Sequence, residues 1–138
     1  MAPDDRRLAE LVRCARRIAV VGLSPRPERP SHGVAKYLQQ AGFKVIPVHP
    51  SGGVILGELV HPDLVSAAAA AGPIDLVNVF RRSEFIPDLL APILQVRPSL
   101  VWLQEGVRHE GTARRLEEAG IVTVMDRCLA VYHTFLGV

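Results

Sequence analysis

Short runs of apolar residues alternate along the chain with segments in which apolar side chains recur every three or four positions. A continuous apolar run is typical of a strand buried on both faces, and the three-to-four spacing is typical of an amphipathic helix. The runs predict strands at RIAVVGL (17–23), FKVIPVHP (43–50), VILGE (54–58), IDLVNVF (74–80), SLVWLQ (99–104) and IVTVMD (121–126).

The helical spacing occupies the segments between these strands. Asp4 and Asp5 suit the N-terminus of a first helix, and Gly120 is expected to end a later one. Pro92 is expected to kink or break its helix because proline lacks a backbone N–H. The predicted helices cover residues 1–16, 31–42, 62–72, 83–96, 110–120 and a short terminal helix or tail at 129–138.

This alternation defines the expected fold class. Strands that alternate with helices of about ten residues predict right-handed crossovers and a mostly parallel sheet covered on both faces. No internal repeat, low-complexity segment or linker divides the chain. We therefore expect an α/β protein, a single three-layer Rossmann-like domain with a mostly parallel sheet over residues 1–138.

The composition is that of a globular protein and argues against several partners. Of 138 residues, 49% are hydrophobic and 22% are charged, and the net charge of +2 is too small to favour nucleic acid or a membrane surface. No apolar run approaches the roughly 20 residues of a membrane span, and the N-terminus lacks the apolar core of a signal peptide. Cys14 and Cys128 form no metal or redox motif, which favours a reduced, cytoplasmic location.

Ligands of such sheets bind outside the carboxyl ends of the strands, near the point where the strand order switches. The segments expected at that edge also have the most unusual composition in the chain, which favours a single site there. These segments are 22–31, 48–53, 80–84, 104–108 and 126–128.

The first segment, GLSPRPERPS, departs from the G-x-G-x-x-G phosphate loop. Gly22 permits a sharp turn, and Ser31 is expected to cap the following helix, whose N-terminal amides attract an anion. Ser24 lies in the same turn, and Arg26 and Arg29 carry planar cationic groups that match phosphate. The alternative is that the prolines stiffen a surface loop whose arginines are solvated.

The second segment begins with Val48, His49, Pro50 and Ser51, directly after the second strand. An NAD site usually has an acidic residue there, which binds the ribose hydroxyl. This chain has none, and a carboxylate would repel a phosphate on the ribose. The segment therefore argues against NAD and favours a nucleotide with an additional ribose phosphate.

The third segment, VFRRSE, lies at the end of the fourth predicted strand. Phe80 offers an apolar surface, and Arg81 is expected to point at the ligand crevice. Arg82 is expected to pair with an acid such as Glu84, and Ser83 to cap the next helix.

The last two segments complete the expected rim. Gln104, Glu105 and Arg108 are expected to close one edge of the pocket, although Glu105 has the alternative of pairing with Arg108. Asp126 is expected to be a turn or cap residue rather than a base.

Residues with catalytic potential are few. The five histidines form no metal-ligand spacing on a helix, and no local signature joins a nucleophile to a base. Cys128 follows VMDR at a strand end, where Arg127 would lower its pKa if it faces the cleft, but a packing role is the favoured interpretation. Cys14 is expected to lie in the core. We predict no catalytic residue and no metal site.

Several motifs together resemble those of a known family. Their order along residues 18–128 is what makes the likeness specific, since each is weak alone. Together they resemble the small standalone CoA-binding proteins, which are related to the N-terminal CoA-binding domain of the succinyl-CoA synthetase alpha subunit. The motifs are VVGLS, RPS, VAKYLQQAGFKVIPVHP, ILGE, VNVFRRSE, VWLQEGVR and VMDRC.

The resemblance implies a Rossmann-like domain that binds coenzyme A. It implies the following positions: Gly22, Ser24, Arg29 and Ser31 at the phosphates, Val48, His49 and Pro50 beside the adenosine, and Phe80, Arg81 and Arg82 along the cleft.

Two functions remain open from the sequence. The first is a non-catalytic module that binds coenzyme A or acyl-CoA, with a protein partner possible. The alternative is an NADP-type nucleotide-dependent oxidoreductase, for which 138 residues leave no substrate domain.

Overall fold

The computed structural model describes residues 5–137, so the prediction for Asp4 and the outermost residues of both predicted terminal helices lie outside the described residues. The elements follow one another as the alternating pattern predicts. In chain order they are α1 Asp5–Cys14, β1 Arg17–Val21, α2 Pro30–Gln40, β2 Lys44–Val48, β3 Val54–Ile55, β4 Glu58–Leu59, α3 Leu64–Ala71, β5 Leu76–Val79, a 3₁₀ helix Ser83–Leu89, α4 Leu90–Val96, β6 Leu100–Leu103, α5 Glu110–Glu118, β7 Val122–Val124 and α6 Leu129–Leu136.

Five parallel strands form the main sheet in the order β2-β1-β5-β6-β7. The chain moves outward from β1 to β2 and then returns across β1 to β5, so the strand order switches between β1 and β5. All carboxyl ends meet at one edge because the strands are parallel. Parallel sheets of this kind bind ligands at that edge, near the switch in strand order.

Helices cover the sheet on both faces. On one face α1, α2 and α6 pack against side chains such as Ile18, Val20 and Trp102. On the other face α3, α4 and α5 pack against Val77 and Val101. The strands are therefore buried on both sides, which explains their continuous apolar sequence. The predicted three-layer α/β Rossmann-like fold is confirmed.

The predicted strand at 54–58 is wrong in form. The segment folds back on itself as the antiparallel hairpin β3–β4, separate from the main sheet. Leu56 and Gly57 occupy its turn with φ of 53° and 78°. Two consecutive positive φ angles are those of a type I′ turn, which a glycine at the second position favours.

Two helix predictions need correction. The segment 83–96 changes from a 3₁₀ helix to α4 at Leu90, and no break occurs at Pro92. Pro92 lies in the first turn of α4, where its missing N–H would have no helical partner. Helix α3 begins at Leu64 rather than at Pro62, because Asp63 caps it by accepting the Ser66 N–H at 2.8 Å. Gly120 ends α5 with a φ of 85°, as predicted.

Between residues 5 and 137 no helix has the length and apolar character needed to cross a membrane. The same residues contain no cluster of three or more His, Cys, Asp or Glu side chains that could hold a metal ion.

Candidate functional site

The loops that follow β1, β2, β5 and β6 surround two adjoining cavities at the carboxyl edge of the sheet. The first cavity has a volume of about 660 Å³. Its lining residues are Gly22, Ser24, Arg26, Arg29, Pro30, Ser31, Phe80, Arg81, Arg82, Gln104, Glu105, Gly106 and Val107.

The second cavity has a volume of about 570 Å³ and lies towards β2. The two cavities share Gly22, Phe80, Arg81 and Arg82, so they form one elongated depression across the strand-order switch. We call this pair the joined cavities. The residues that line only the second are Val21, Val48, His49, Pro50, Pro62, Asp63, Leu64, Phe85, Asp88, Leu89 and Pro92.

Every residue predicted from the sequence to bind the cofactor lines one of the joined cavities, and so does Glu105. Their role as ligand contacts stays a prediction. The predicted segment 126–128 is different, because none of its residues lines either cavity. Arg108, which was expected to close one edge of the pocket, lines neither.

Gly22 brings the ends of β1 and β5 close together. Its N–H donates to the Val48 carbonyl at 2.9 Å, and its φ is 86°. A Cβ at this position would lie 2.8 Å from the backbone oxygen of Phe80. Only glycine fits here without displacing the backbone, so the floor shared by the joined cavities depends on it.

The two serines of the first loop brace its backbone. The Ser24 N–H donates to Ser31 Oγ at 3.0 Å, and the Arg26 N–H donates to Ser24 Oγ at 3.1 Å. The predicted capping role of Ser31 is wrong. Arg29 occupies the N-cap position of α2, Pro30 follows it, and Ser31 lies inside the helix with its hydroxyl turned back to the loop.

Four arginines surround the joined cavities: Arg26, Arg29, Arg81 and Arg82. The Arg81 guanidinium lies over the Phe85 ring at 5.4 Å, a cation–π contact that orients it. The expected pairing of Arg82 with Glu84 is wrong, because no ion pair joins them in the described chain. The guanidinium donors of these residues thus remain open to an anion.

Gln104 is held at the wall of the first cavity by a residue that the sequence analysis did not single out. Its Oε1 accepts from Asn78 Nδ2 at 3.2 Å and from the Leu129 N–H at 3.4 Å. Asn78 is fully buried in β5, and its Oδ1 has no hydrogen-bond partner within the described residues. Because Oε1 is engaged, the amide nitrogen of Gln104 is the group available to a ligand. An asparagine inside an apolar strand was the signal in the sequence.

Polar groups also line the far end of the second cavity. His49 Nδ1 accepts the Ser51 N–H at 3.1 Å, so this nitrogen stabilises the turn after β2. Asp63, which the sequence analysis missed, caps α3, and the hydrogen bonds from Ser66 hold the pKa of its carboxyl below the ordinary value. Its position before an alanine-rich run was the detectable signal.

The loop after β6 is fixed by its neighbours. Ser83 does not cap the 3₁₀ helix as predicted, because its Oγ accepts the Arg108 N–H at 2.9 Å instead. Arg108 pairs with Glu110 and Asp126 and not with Glu105, which contradicts the alternative reading of Glu105. Asp126 has a φ of 61° and accepts the Gly106 N–H at 2.7 Å, so its prediction as a turn residue is confirmed.

The two cysteines lie outside the joined cavities. Cys14 is exposed at the end of α1, so its predicted place in the core is wrong. Cys128 is half-buried at the start of α6. The neighbouring Arg127 guanidinium lies over the rings of Trp102 and Tyr132, at 5.6 Å and 5.1 Å.

Known proteins resemble this chain in sequence and in fold. The sequence profile described as CoA binding domain matches residues 16–134. The chain belongs to the CoA binding domain family. The resemblance seen in the sequence motifs is thereby confirmed. A relative of comparable length is the uncharacterized protein YneT of Bacillus subtilis, which is 40% identical over 132 residues, or 95% of each chain.

Solved structures of the same size have the same fold. A Thermus thermophilus protein, cell-free ID.343, is 40% identical with a TM-score of 0.91 over 97% of this chain and 99% of that one. A hypothetical protein from Pyrococcus horikoshii is 27% identical with a TM-score of 0.90 over 99% and 94%.

A much larger protein contains a similar fold. Acetyl-coenzyme A synthetase 1 of Ca. Korarchaeum cryptofilum is 18% identical, with a TM-score of 0.69 over 83% of this chain and 27% of the synthetase. That likeness concerns the fold alone.

Proposed function

We propose that the chain binds coenzyme A, free or as an acyl thioester, in the joined cavities, and that it is a binding module rather than a catalyst. One observation carries the proposal: a member of the CoA binding domain family has an elongated double cavity at the strand-order switch, with four arginines around it. Coenzyme A combines an acidic nucleotide with a long polar arm. A binding site for such a ligand needs cationic groups at one end and an extended channel for the arm.

The first cavity supplies the cationic groups. Arg26 and Arg29 flank the N-terminus of α2, whose dipole adds partial positive charge. Glu105 is the one carboxylate among the residues that line this cavity. The bracing of the loop by Ser24 and Ser31 lowers the entropy that binding would cost. This end favours the phosphates.

The second cavity is suited to a nucleoside. Val48, Pro50 and Leu64 offer apolar walls, and His49 and Asp63 place polar groups at the edge. A purine base has flat apolar faces and a polar rim, and the cavity offers the matching surfaces. No carboxylate follows β2 directly, so a phosphate on the ribose meets no repulsion from that segment.

The arm of the ligand would extend past Arg81 towards Gln104. The arm of coenzyme A contains two amide groups, whose carbonyl oxygens accept hydrogen bonds. The amide nitrogen of Gln104 is a donor at that wall, since Asn78 and the Leu129 N–H occupy its Oε1. The thiol would lie beyond this point.

A catalytic role has no support from the cavity lining. The residues that line the joined cavities include one histidine, His49, and no cysteine or lysine. One imidazole nitrogen of His49 is engaged by the backbone of Ser51. A nucleophile next to a free base, as covalent catalysis requires, is therefore missing from this lining.

The proposal is tested by calorimetric titration of the purified chain with coenzyme A, dephospho-coenzyme A, NADP and NAD. We expect coenzyme A to bind most tightly, dephospho-coenzyme A more weakly for lack of the ribose phosphate, and NAD hardly at all. Binding of NADP with equal or higher affinity would favour the oxidoreductase and refute the proposal.

A variant pair checks the position of the ligand. Arg29→Ala should weaken coenzyme A binding about tenfold to a hundredfold, the range of one charge-assisted hydrogen bond. Arg114→Ala removes the same charge from an exposed site on α5 and should leave the affinity unchanged. Equal affinities in the two variants would remove the first cavity from the binding site.

A further inference from the structure

A separate cavity lies at the opposite edge of the sheet, where the strands begin. Its volume is about 860 Å³. It is bounded by the end of α1, the segment that enters β1, the turn between α2 and β2, and one residue each from α3 and α6. We call it the basic cavity, and its lining residues are Arg13, Cys14, Ala15, Arg16, Arg17, Ala41, Gly42, Phe43, Lys44, Ala71 and His133.

The lining of the basic cavity contains four cationic side chains and no carboxylate. Lys44 Nζ is paired with Glu58 Oε1 at 2.7 Å. None of Arg13, Arg16 and Arg17 takes part in an ion pair in the described part of the chain. Three guanidinium groups therefore share one concave surface without an acidic partner.

The backbone that presents these arginines is fixed. Asp75 Oδ2 accepts the N–H groups of both Arg16 and Arg17 at 2.9 Å, and the Lys44 N–H donates to the Arg16 carbonyl at 2.8 Å. The half-buried Arg17 side chain packs against Gly72, where a Cβ would lie 3.4 Å from Arg17 Nε. Pre-ordered charges bind an anion at a lower entropic cost.

Three helices end beside the basic cavity, namely α1, α2 and α3. The carbonyl end of each helix carries partial negative charge, and nearby cations offset it. This offset explains why cations are stable here, but it leaves the N–H donors of the arginine side chains available for hydrogen bonds. Each guanidinium has five N–H donors, and the hydrogen bonds of Arg13, Arg16 and Arg17 in the described structure involve no side-chain donor.

We propose that the basic cavity binds a small molecule carrying at least two phosphate groups, independently of any ligand in the joined cavities. Guanidinium groups bind phosphate oxygens with two parallel hydrogen bonds, and several of them at separate positions suit several phosphates rather than one. Ala15 and Phe43 add apolar walls. The site is at the opposite edge of the sheet from Gly22, so it takes a different molecule from the one proposed above.

The probe for this proposal is inorganic pyrophosphate, added to the isotope-labelled chain while backbone amide signals are followed by NMR. We expect saturable shifts at Arg16, Arg17, Gly42 and Lys44. Shifts confined to the loop that begins at Gly22, or no saturable shift, would overturn the proposal. The outcome does not depend on whether coenzyme A binds, because the amides report on the two edges separately.

Charge-removing variants sharpen the test. Arg16→Gln should weaken pyrophosphate binding about tenfold, and the double variant with Arg17→Gln about a hundredfold or more. Arg16 is exposed, so its single variant keeps the test valid if the double variant does not fold. Arg114→Gln, the matched control on α5, should bind as the wild type does. Unchanged affinity in Arg16→Gln and the double variant would show that these arginines only offset the helix ends.

Discussion

Replacing Gly22 with alanine tests the close approach of two strand ends on which the joined cavities depend. Gly22 has a φ of 86°, and an added Cβ would lie 2.8 Å from the carbonyl oxygen of Phe80. That oxygen belongs to the backbone, so it cannot rotate away as a flexible side chain would. Gly22→Ala should therefore destabilise the fold through backbone strain and through steric overlap together.

Two other glycines separate these contributions. Gly120 has nearly the same φ, 85°, but an added Cβ would meet no atom within 4 Å. Gly33 lies within α2, outside the left-handed region, and its Cβ would also meet open space. An alanine would thus meet backbone strain and steric overlap at Gly22, backbone strain alone at Gly120, and neither at Gly33.

The expected magnitudes follow from these geometries. A left-handed conformation costs a residue with a side chain about 1–2 kcal/mol, and forcing atoms into a packed site costs about 1–3 kcal/mol. Gly120→Ala should lower the free energy of unfolding by about 1–2 kcal/mol, and Gly22→Ala by about 2–5 kcal/mol. Gly33→Ala should raise it by about 0.5–1 kcal/mol, because alanine favours the helix.

The assay is urea unfolding of the four proteins, followed by the fluorescence of Trp102, the single tryptophan, which is fully buried. Equal slopes against urea would show that the variants unfold from equally compact states. If Gly22→Ala loses no more stability than Gly120→Ala, the end of β5 moves aside at negligible cost. The close approach to Phe80 would then not explain the glycine.

Three further predictions concern groups away from the joined cavities. Burial lowers the pKa of His133 from its ordinary 6.5, so the unfolded chain takes up a proton at a higher pH than the folded chain does. As the pH is lowered through about 6.5, the free energy of unfolding should therefore decrease, by less than ~1.4 kcal/mol per pH unit. This pH dependence should disappear in His133→Gln. Asp75→Ala removes the acceptor of two backbone N–H groups, at Arg16 and Arg17, and should lower the free energy of unfolding in urea by about 1.5–3 kcal/mol. A loss below about 0.5 kcal/mol would show that water replaces the carboxylate. Arg108→Ala breaks two exposed ion pairs, with Glu110 at 3.2 Å and with Asp126 at 3.6 Å, so thermal unfolding should show almost no loss of stability. A clear fall in the unfolding midpoint would show that these pairs contribute more than exposed pairs do.

The prediction of buried strands from the sequence succeeded because burial on both faces leaves an unmistakable pattern. In β1 and β6 the apolar residues are consecutive, at 18–21 and at Leu100–Leu103, and all of them are buried. Cys14 illustrates the limit of the same reasoning. It lies two positions beyond the buried Val12, which turns it about 200° around the helix axis and away from the core.

Errors arose where a side chain had a choice between a local and a distant partner. Ser31 suits a helix cap by its residue type, but its hydroxyl accepts the N–H of Ser24, seven positions earlier. Ser83 likewise bonds the Arg108 N–H, 25 positions later, instead of capping its own helix. Local preference cannot rank such alternatives, because the distant donor is brought close only by the folded chain.

The sequence by itself determined the alternating elements, the parallel three-layer architecture and four of the segments that line the joined cavities. These follow from the periodicity of burial and from the rule that parallel strands bring their carboxyl ends to one edge. The prediction from sequence wrongly included 126–128 and missed the lining residues at 62–64 and 85–92. Only the tertiary structure decided that Asn78 holds Gln104 at the cavity wall, and that Arg13, Arg16 and Arg17 converge at the opposite edge. Such groupings join residues from different elements, and their distances depend on how helices pack on the sheet, which no local pattern encodes.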